Sequence, residues 1–327
     1  MTKKDLKIVF FGTPDFAVAS LDALVCGGYN VAAVVTMPDK ASGRGQKINY
    51  SAVKKYAIEH NLPLLQPERL KDEAFVAELQ AISADLFIVI AFRMLPEIVW
   101  TMPPLGTFNL HGSLLPLYRG AAPINRVVMN GDSQTGVTTF FLKHEIDTGD
   151  IISRESIEIG PDEDAGSVHD RLMAIGARLT VDTVDHIIKG DLKTTPQSEL
   201  CGDICPTPAP KIFKEDCLID WRRDAADIHN HVRGLAPYPA AWSHLSLDGN
   251  DDAGTIKVLK TAQATCPDHA LAPGKLILSG KKAYVGTGDG LSLELVSVQP
   301  AGKKAMSGAD FLRGLRIDER GLAPVLR

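Results

Sequence analysis

The sequence predicts an α/β protein: a doubly wound, mostly parallel Rossmann-like sheet followed by a small closed β-barrel. Three observations predict it. Up to Lys189, short unbroken apolar runs alternate with segments of helical periodicity, the pattern of parallel strands covered on both faces. Between Pro196 and Pro210 four prolines and Gly202 break all periodicity, marking a connector. Beyond it, five short strand-like runs separated by Gly, Asp and Pro turns crowd together, as in a small barrel.

In chain order, Lys7 to Phe11 reads as a buried strand, the turn Gly12-Thr13-Pro14 follows, and Phe16, Val18, Leu21 and Leu24 have helical spacing up to Gly27-Gly28. Thr13 is placed to cap that helix and Pro14 to occupy its first turn. Val31 to Val35 is the next strand, followed by a loop over 37–47 and a helix over 51–60. An extended Leu62 to Leu65, a helix near 72–82 and the strand Leu86 to Ile90 come next. Phe108 to His111 ends a further strand. A helix over 121–130, strands over 136–142 and 151–158, and a long helix over 166–189 complete a first domain of residues 1–192. Residues 193–210 are the linker. The second domain, 211–327, holds a helix near 224–234 and strands near 241–247, 255–261, 274–278, 282–287 and 291–298.

Composition bounds the rest. A chain of 327 residues with 45% hydrophobic and 23% charged residues is an ordinary globular sequence of two domains. Its longest apolar run, Leu86 to Phe92, falls far short of the roughly 20 residues of a membrane span, and nothing at the start resembles a signal peptide. A cytoplasmic location is expected. Five scattered cysteines argue against a disulfide framework, and Cys201-x-x-x-Cys205 has no second ligand pair, so no metal site is expected. The acidic excess lies in the first part: 26 Asp and Glu against 19 Lys and Arg over residues 1–205. Residues 206–327 carry 16 basic against 14 acidic groups, a balance that does not by itself point to nucleic acid.

Two segments carry the chemistry: Asn109-Leu110-His111-Gly112-Ser113-Leu114-Leu115-Pro116 and Ile146-Asp147-Thr148-Gly149-Asp150. Strand side chains alternate, so Asn109 and His111 leave the same face and converge at a strand end. Ligands of open α/β sheets bind beyond such ends. Asp147 on a turn supplies a carboxylate that could orient or charge the imidazole, and together the groups suit acyl transfer. Each has a plainer reading: His111 as a bonded core histidine, Asn109 as a turn former, Asp147-Thr148-Gly149 as a β-turn. The Asp-Thr-Gly triplet also matches aspartic proteases, but these need two facing carboxylates and the chain has one such triplet. The first turn, Gly12 to Ala17, lacks the second and third glycines of a dinucleotide fingerprint, which argues against NAD. Lys40 to Lys47, with Gly43-Arg44-Gly45 inside, is a basic flexible loop; on composition it is a surface loop, and with a nucleic acid bound it could enter a groove.

These segments, with Phe11-Gly12-Thr13-Pro14, Tyr118-Arg119-Gly120-Ala121-Ala122-Pro123-Ile124, Ala209-Pro210-Lys211-Ile212, Ile219-Asp220-Trp221 and Arg233-Gly234-Leu235 followed by Pro237-Tyr238-Pro239-Ala240-Ala241-Trp242, make the chain resemble the methionyl-tRNA formyltransferases over nearly its whole length. The Asn-x-His and Ser-Leu-Leu-Pro segments are shared with other 10-formyltetrahydrofolate-dependent formyltransferases. The resemblance implies an OB-like second domain that contacts tRNA, and formyl transfer from 10-formyltetrahydrofolate to initiator methionyl-tRNA. It implies Asn109, His111 and Asp147 as the catalytic trio, and Ser113, Leu114, Leu115 and Pro116 as folate contacts. Arg44, Lys40 and Lys47 are implied to meet the acceptor stem. A monomer without metal is expected. Leu117 and Phe92-Arg93-Met94 depart from the family pattern on the folate side. Two rivals are a formyltransferase of a small amine, and a binding protein that has kept the domains and lost catalysis.

Overall fold

The computed structural model describes residues 1–42, 47–201, 206–247, 254–264, 266–267, 270–315 and 324–327. Two compact units emerge from it: residues 1–120, 135–157 and 169–209 form one, and 121–134, 158–168 and 210–327 the other.

In the first unit β1 (Lys7–Gly12), β2 (Asn30–Val35), the hairpin strands β3 (Lys40–Ser42) and β4 (Lys47–Asn49), β5 (Leu64–Leu65), β6 (Leu86–Ile90) and β7 (Thr107–His111) follow one another. After them come β8 (Arg119–Gly120), β9 (Gln134–Phe141) and β10 (Ile151–Glu158). The main sheet has the order β10-β9-β7-β6-β1-β2-β5. Strands β5, β2, β1, β6 and β7 run parallel, and β9 pairs antiparallel with β7. From β1 the chain winds first towards β5 and then, restarting at β6, the other way. The switch point therefore lies between β1 and β6, one strand away from β7.

Alternation within the strands explains why both faces are covered. Val9, Phe11, Phe87 and Val89 pack with Phe75, Val76 and Leu79 of the helix Glu73–Ile82, while the intervening Ile8, Phe10, Ile88 and Ile90 are equally buried. Each such side chain contributes about 1.5–3 kcal/mol. Two helix starts follow their caps: Ser51 Oγ accepts from Lys54 N at 3.0 Å before the helix Ala52–Glu59, and Asp72 accepts from Ala74 N at 3.1 Å before the helix Glu73–Ile82. Thr13 does not cap. The helix Asp15–Cys26 has Pro14 in extended conformation at its N-cap, one residue later than expected, and Thr13 Oγ1 is buried without a partner among the described residues.

The second unit is built on strands Ala241–Ser246, Thr255–Gln263, Leu276–Ser279, Lys282–Gly286, Ser292–Pro300 and Val325–Leu326, antiparallel throughout. Val325–Leu326 closes the barrel: it pairs with Leu245 and Ser246 on one side, while Leu276 N donates to Pro324 O (3.0 Å) and Leu326 N to Gly274 O (2.8 Å) on the other. At φ +77°, with the Leu326 carbonyl 2.0 Å from where a Cβ would stand, position 274 tolerates only glycine. Helix Ala225–Leu235 packs Ile228, Val232 and Leu235 into this core. The helix Pro123–Met129 belongs to this unit too, since Asn125 Nδ2 donates to Gly234 O at 2.8 Å and Gly234 leaves room for Met129.

Among the described residues no helix is long and apolar enough to cross a membrane.

Candidate active site

Strand β7 delivers Asn109 and His111 to its carboxyl end, where Asn109 pairs in register with Val89 of β6 and Phe140 of β9. His111 is 7% exposed. Its Nε2 lies 2.9 Å from the carbonyl of Tyr118, which can only accept, so Nε2 carries a proton and is spent on that bond. Nδ1 is the ring atom left for chemistry, and it faces Asp147 Oδ2 at 3.8 Å. The edge of the Phe140 ring stands against the imidazole with centroids 6.4 Å apart. The amide of Asn109 is half-buried at that strand end. The Asn109 amide and the ring nitrogen not spent on Tyr118 thus sit on the same strand end.

Asp147 is held from two sides. Its Oδ2 accepts from Gly120 N at 2.9 Å, and its backbone takes the left-handed φ of +53°. Tyr118, at φ +59°, turns the preceding loop so that its carbonyl reaches His111 while its N–H donates to Thr207 O at 2.6 Å. Strand β8 then pairs with β11 (Pro208–Ala209). The stretch that reads as a connector is therefore a brace along the site loops.

The turn after β7 is internally bonded. Ser113 Oγ donates to Leu117 O (2.7 Å), Thr138 Oγ1 donates to Ser113 O (2.6 Å), and Leu115 N donates to Thr138 Oγ1 (3.1 Å). Arg154 Nη1 caps the Leu115 carbonyl at 3.0 Å. Leu115 and Pro116 are buried, Leu115 in a cluster with Phe140 and Ile151, whereas Leu114 is part-exposed. Arg93 turns onto the carbonyls of Pro67 and Glu68, and burial lowers the pKa of its guanidinium. Met94 points outward, 73% exposed.

Of the basic loop, Arg44 lies outside the described residues, and for Lys40 and Lys47 only the backbone of the hairpin β3–β4 is described. Its base is anchored. Lys54 Nζ, 4.0 Å from the centre of the Tyr50 ring, donates to Asp39 Oδ2 at 2.5 Å. Gln66 Nε2 donates to Met37 O and Asp39 Oδ1. The Lys54 bond, then that from Gln66, holds the Asp39 carboxyl below the usual carboxylate range.

Sequence reading named Tyr118 and Arg119 only as part of a motif, without a role, and missed Thr138, Arg154 and Gln197. These three carry no local signal, since their partners lie 23 or more positions away along the chain. Cys205 lies outside the described residues, as does the side chain of Cys201; among the described residues no three His, Cys, Asp or Glu side chains gather as metal ligands.

Residues 6–184 match the family model described as "Formyl transferase", and residues 211–316 that described as "Formyl transferase, C-terminal domain". Curated relatives called methionyl-tRNA formyltransferase are similar along the chain. That of Parabacteroides distasonis is 55% identical, covering 97% of this chain and 98% of the relative; that of Bacteroides fragilis is 53% identical, covering 98% of both. Among solved structures, an N-formyltransferase from Helicobacter canadensis, in complex with folinic acid and dTDP-3-aminofucose, superposes with a TM-score of 0.63 at 18% identity, covering 90% of this chain and 99% of that one. HypX from Aquifex aeolicus in complex with tetrahydrofolic acid gives 0.61 at 18% identity, over 98% of this chain and 50% of that one. At such identities the likeness is one of fold.

Proposed function

Because this chain belongs to the methionyl-tRNA formyltransferase family, we propose that it moves the formyl group of 10-formyltetrahydrofolate onto the α-amine of methionine esterified to initiator tRNA. The observation that carries the residue roles is the placement of two groups on β7. The Asn109 amide and His111 Nδ1 share one strand end, with the other ring nitrogen committed to Tyr118.

In the mechanism we infer, the Asn109 amide donates to the formyl oxygen as negative charge develops there, help worth about 2.7–4 kcal/mol. His111 Nδ1 takes the proton that the attacking nitrogen must lose, directly or through one water, and the resulting imidazolium faces the Asp147 carboxylate at 3.8 Å. The same Nδ1–H then supports the oxyanion and returns a proton to the departing N10, which contributes about 10²–10⁴-fold. The folate supplies the formyl carbon. Ser113 to Pro116 meet it at the strand end, with part-exposed Leu114 as the apolar surface and the bonded turn as a rigid wall. On this reading the enzyme works as a cytoplasmic monomer without metal.

The test is formylation of methionine-charged initiator tRNA with 10-formyltetrahydrofolate, run beside a free amino-sugar nucleotide. Transfer to the tRNA is expected, with no measurable transfer to the free amine; preference for the free amine overturns the reading.

Arg44, Lys40 and Lys47 are proposed to bind the acceptor stem. Arg44→Ala is then expected to lower kcat/KM for tRNA about tenfold and to make its dependence on log salt shallower by about 0.7–0.9, one phosphate contact being lost. Kinetics between low and physiological salt measure both. An unchanged slope with unchanged kcat/KM removes Arg44 from the interface.

A further inference from the structure

Gln197 opens the short helix Gln197–Cys201, in the stretch whose prolines read as a connector, yet it is only 3% exposed. Every polar group of its side chain is used. The amide nitrogen donates to the carbonyl of Asp147 at 2.8 Å and to that of Gly149 at 2.9 Å. The amide oxygen accepts from Arg119 Nε at 3.1 Å and Nη2 at 2.6 Å. Carbonyls only accept and a guanidinium only donates, so these partners also determine which end of the amide is which.

The two sides of this link belong to the two loops that hold the His111–Asp147 pair. Arg119 stands between Tyr118, whose carbonyl binds His111 Nε2, and Gly120, whose N–H binds Asp147 Oδ2. On the other side, the bonds from Gln197 bracket Thr148 and clamp a turn in which Asp147 adopts φ +53°, a conformation costing a non-glycine residue roughly 1–2 kcal/mol. The loop at 118–120 has independent tethers, from Thr207 and from strand β11. The Asp147 turn is also held by Gly120 N on Asp147 Oδ2, by the Thr148 Oγ1 bond to Glu145 O at 3.0 Å and by Phe141 N on Asp150 O at 3.1 Å, while Gln197 ties its backbone carbonyls to Arg119.

We propose that Gln197 is a positioning residue for formyl transfer, setting the Asp147 carboxylate against His111 by crosslinking the 118–120 loop to the 147–149 turn. This rests on the roles proposed above for His111 and Asp147. Geometry of this kind is expensive to lose, since a displacement of about 1 Å at a reacting group costs about 10²-fold.

The experiment compares Gln197→Ala and Gln197→Glu with the parent enzyme in steady-state formylation of charged tRNA. Glutamate keeps an acceptor for Arg119 but sets an oxygen against two carbonyls. Both variants are expected to lose about 10- to 100-fold in kcat, with KM for folate and for tRNA within about threefold. In an Asp147→Asn background, Gln197→Ala is expected to cost less than about threefold more, because residues acting through one another do not add. Should Gln197→Ala unfold at the assay temperature, Gln197→Glu decides alone. The proposal falls if either folded variant keeps kcat within threefold, if the loss lies in KM, or if the losses add in the double variant. If Asp147→Asn itself keeps parent activity, the site reading fails and takes this inference with it. If Asp147→Asn is inactive while the Gln197 variants are active, only the present inference fails.

Discussion

His111→Ala is expected to lower kcat for formylation of charged tRNA by at least about 10³-fold, and Asp147→Asn by about 10²-fold or more. The histidine change removes the ring nitrogen that faces the carboxylate, and with it the proposed proton transfer and second donor to the oxyanion. It also removes a bond to the Tyr118 carbonyl, so some loss of stability, about 0.5–1.5 kcal/mol, accompanies it. Asp147→Asn separates chemistry from folding more cleanly. The asparagine oxygen can still accept from Gly120 N, keeping the turn in place, while the charge that stabilises an imidazolium is gone. Single-turnover rates, with thermal unfolding and tRNA binding as controls, measure the effect. A folded variant of either kind with kcat within fivefold of the parent removes that residue from the mechanism.

Gly149→Ala is expected to be the most damaging single-methyl change near the site. A Cβ there would stand 1.6 Å from the Phe141 carbonyl, and Phe141 N already donates to Asp150 O at 3.1 Å, so strand end and turn have no slack. Overpacking of this severity costs about 3 kcal/mol, which lowers Tm by roughly 6–12 °C for units of this size. Because Gly149 O also accepts from Gln197, the displaced turn carries Asp147 with it, and kcat should fall about 10-fold or more even where the protein is folded. Calorimetry and steady-state kinetics on the same preparation check both. A variant with parent Tm shows that the turn can move without cost.

The glycine shows how sequence and structure divide the information. In Asp147-Thr148-Gly149 it reads as an ordinary turn residue, and its real constraint, the close approach of Phe141, appears only in the hairpin. The strand at 86–90, the return strand at 151–158 and the helix at 165–189 were legible to within a residue, because periodicity is a local property. Thr13 as a cap was not, because Pro14 moved the helix start by one residue. The barrel was legible as a run of short strands, but its closure by Val325–Leu326 was not, since a two-residue strand has no periodicity to read. Gln197 was the least legible of all: a polar residue among prolines looks like linker until its carbonyl partners, 48 and 50 positions away, are known.

By itself the sequence determined that Asn109 and His111 share a face at the end of a buried strand, since side-chain alternation needs only neighbouring residues. Motif resemblance supplied the chemistry proposed for such a pair. Only the tertiary structure decided that Nε2 of His111 is spent on Tyr118, that Asp147 stands 3.8 Å from Nδ1, and that a supposed connector braces them both. Those distances come from loop closures across dozens of residues, set by the packing of the whole unit and written in no single stretch of it.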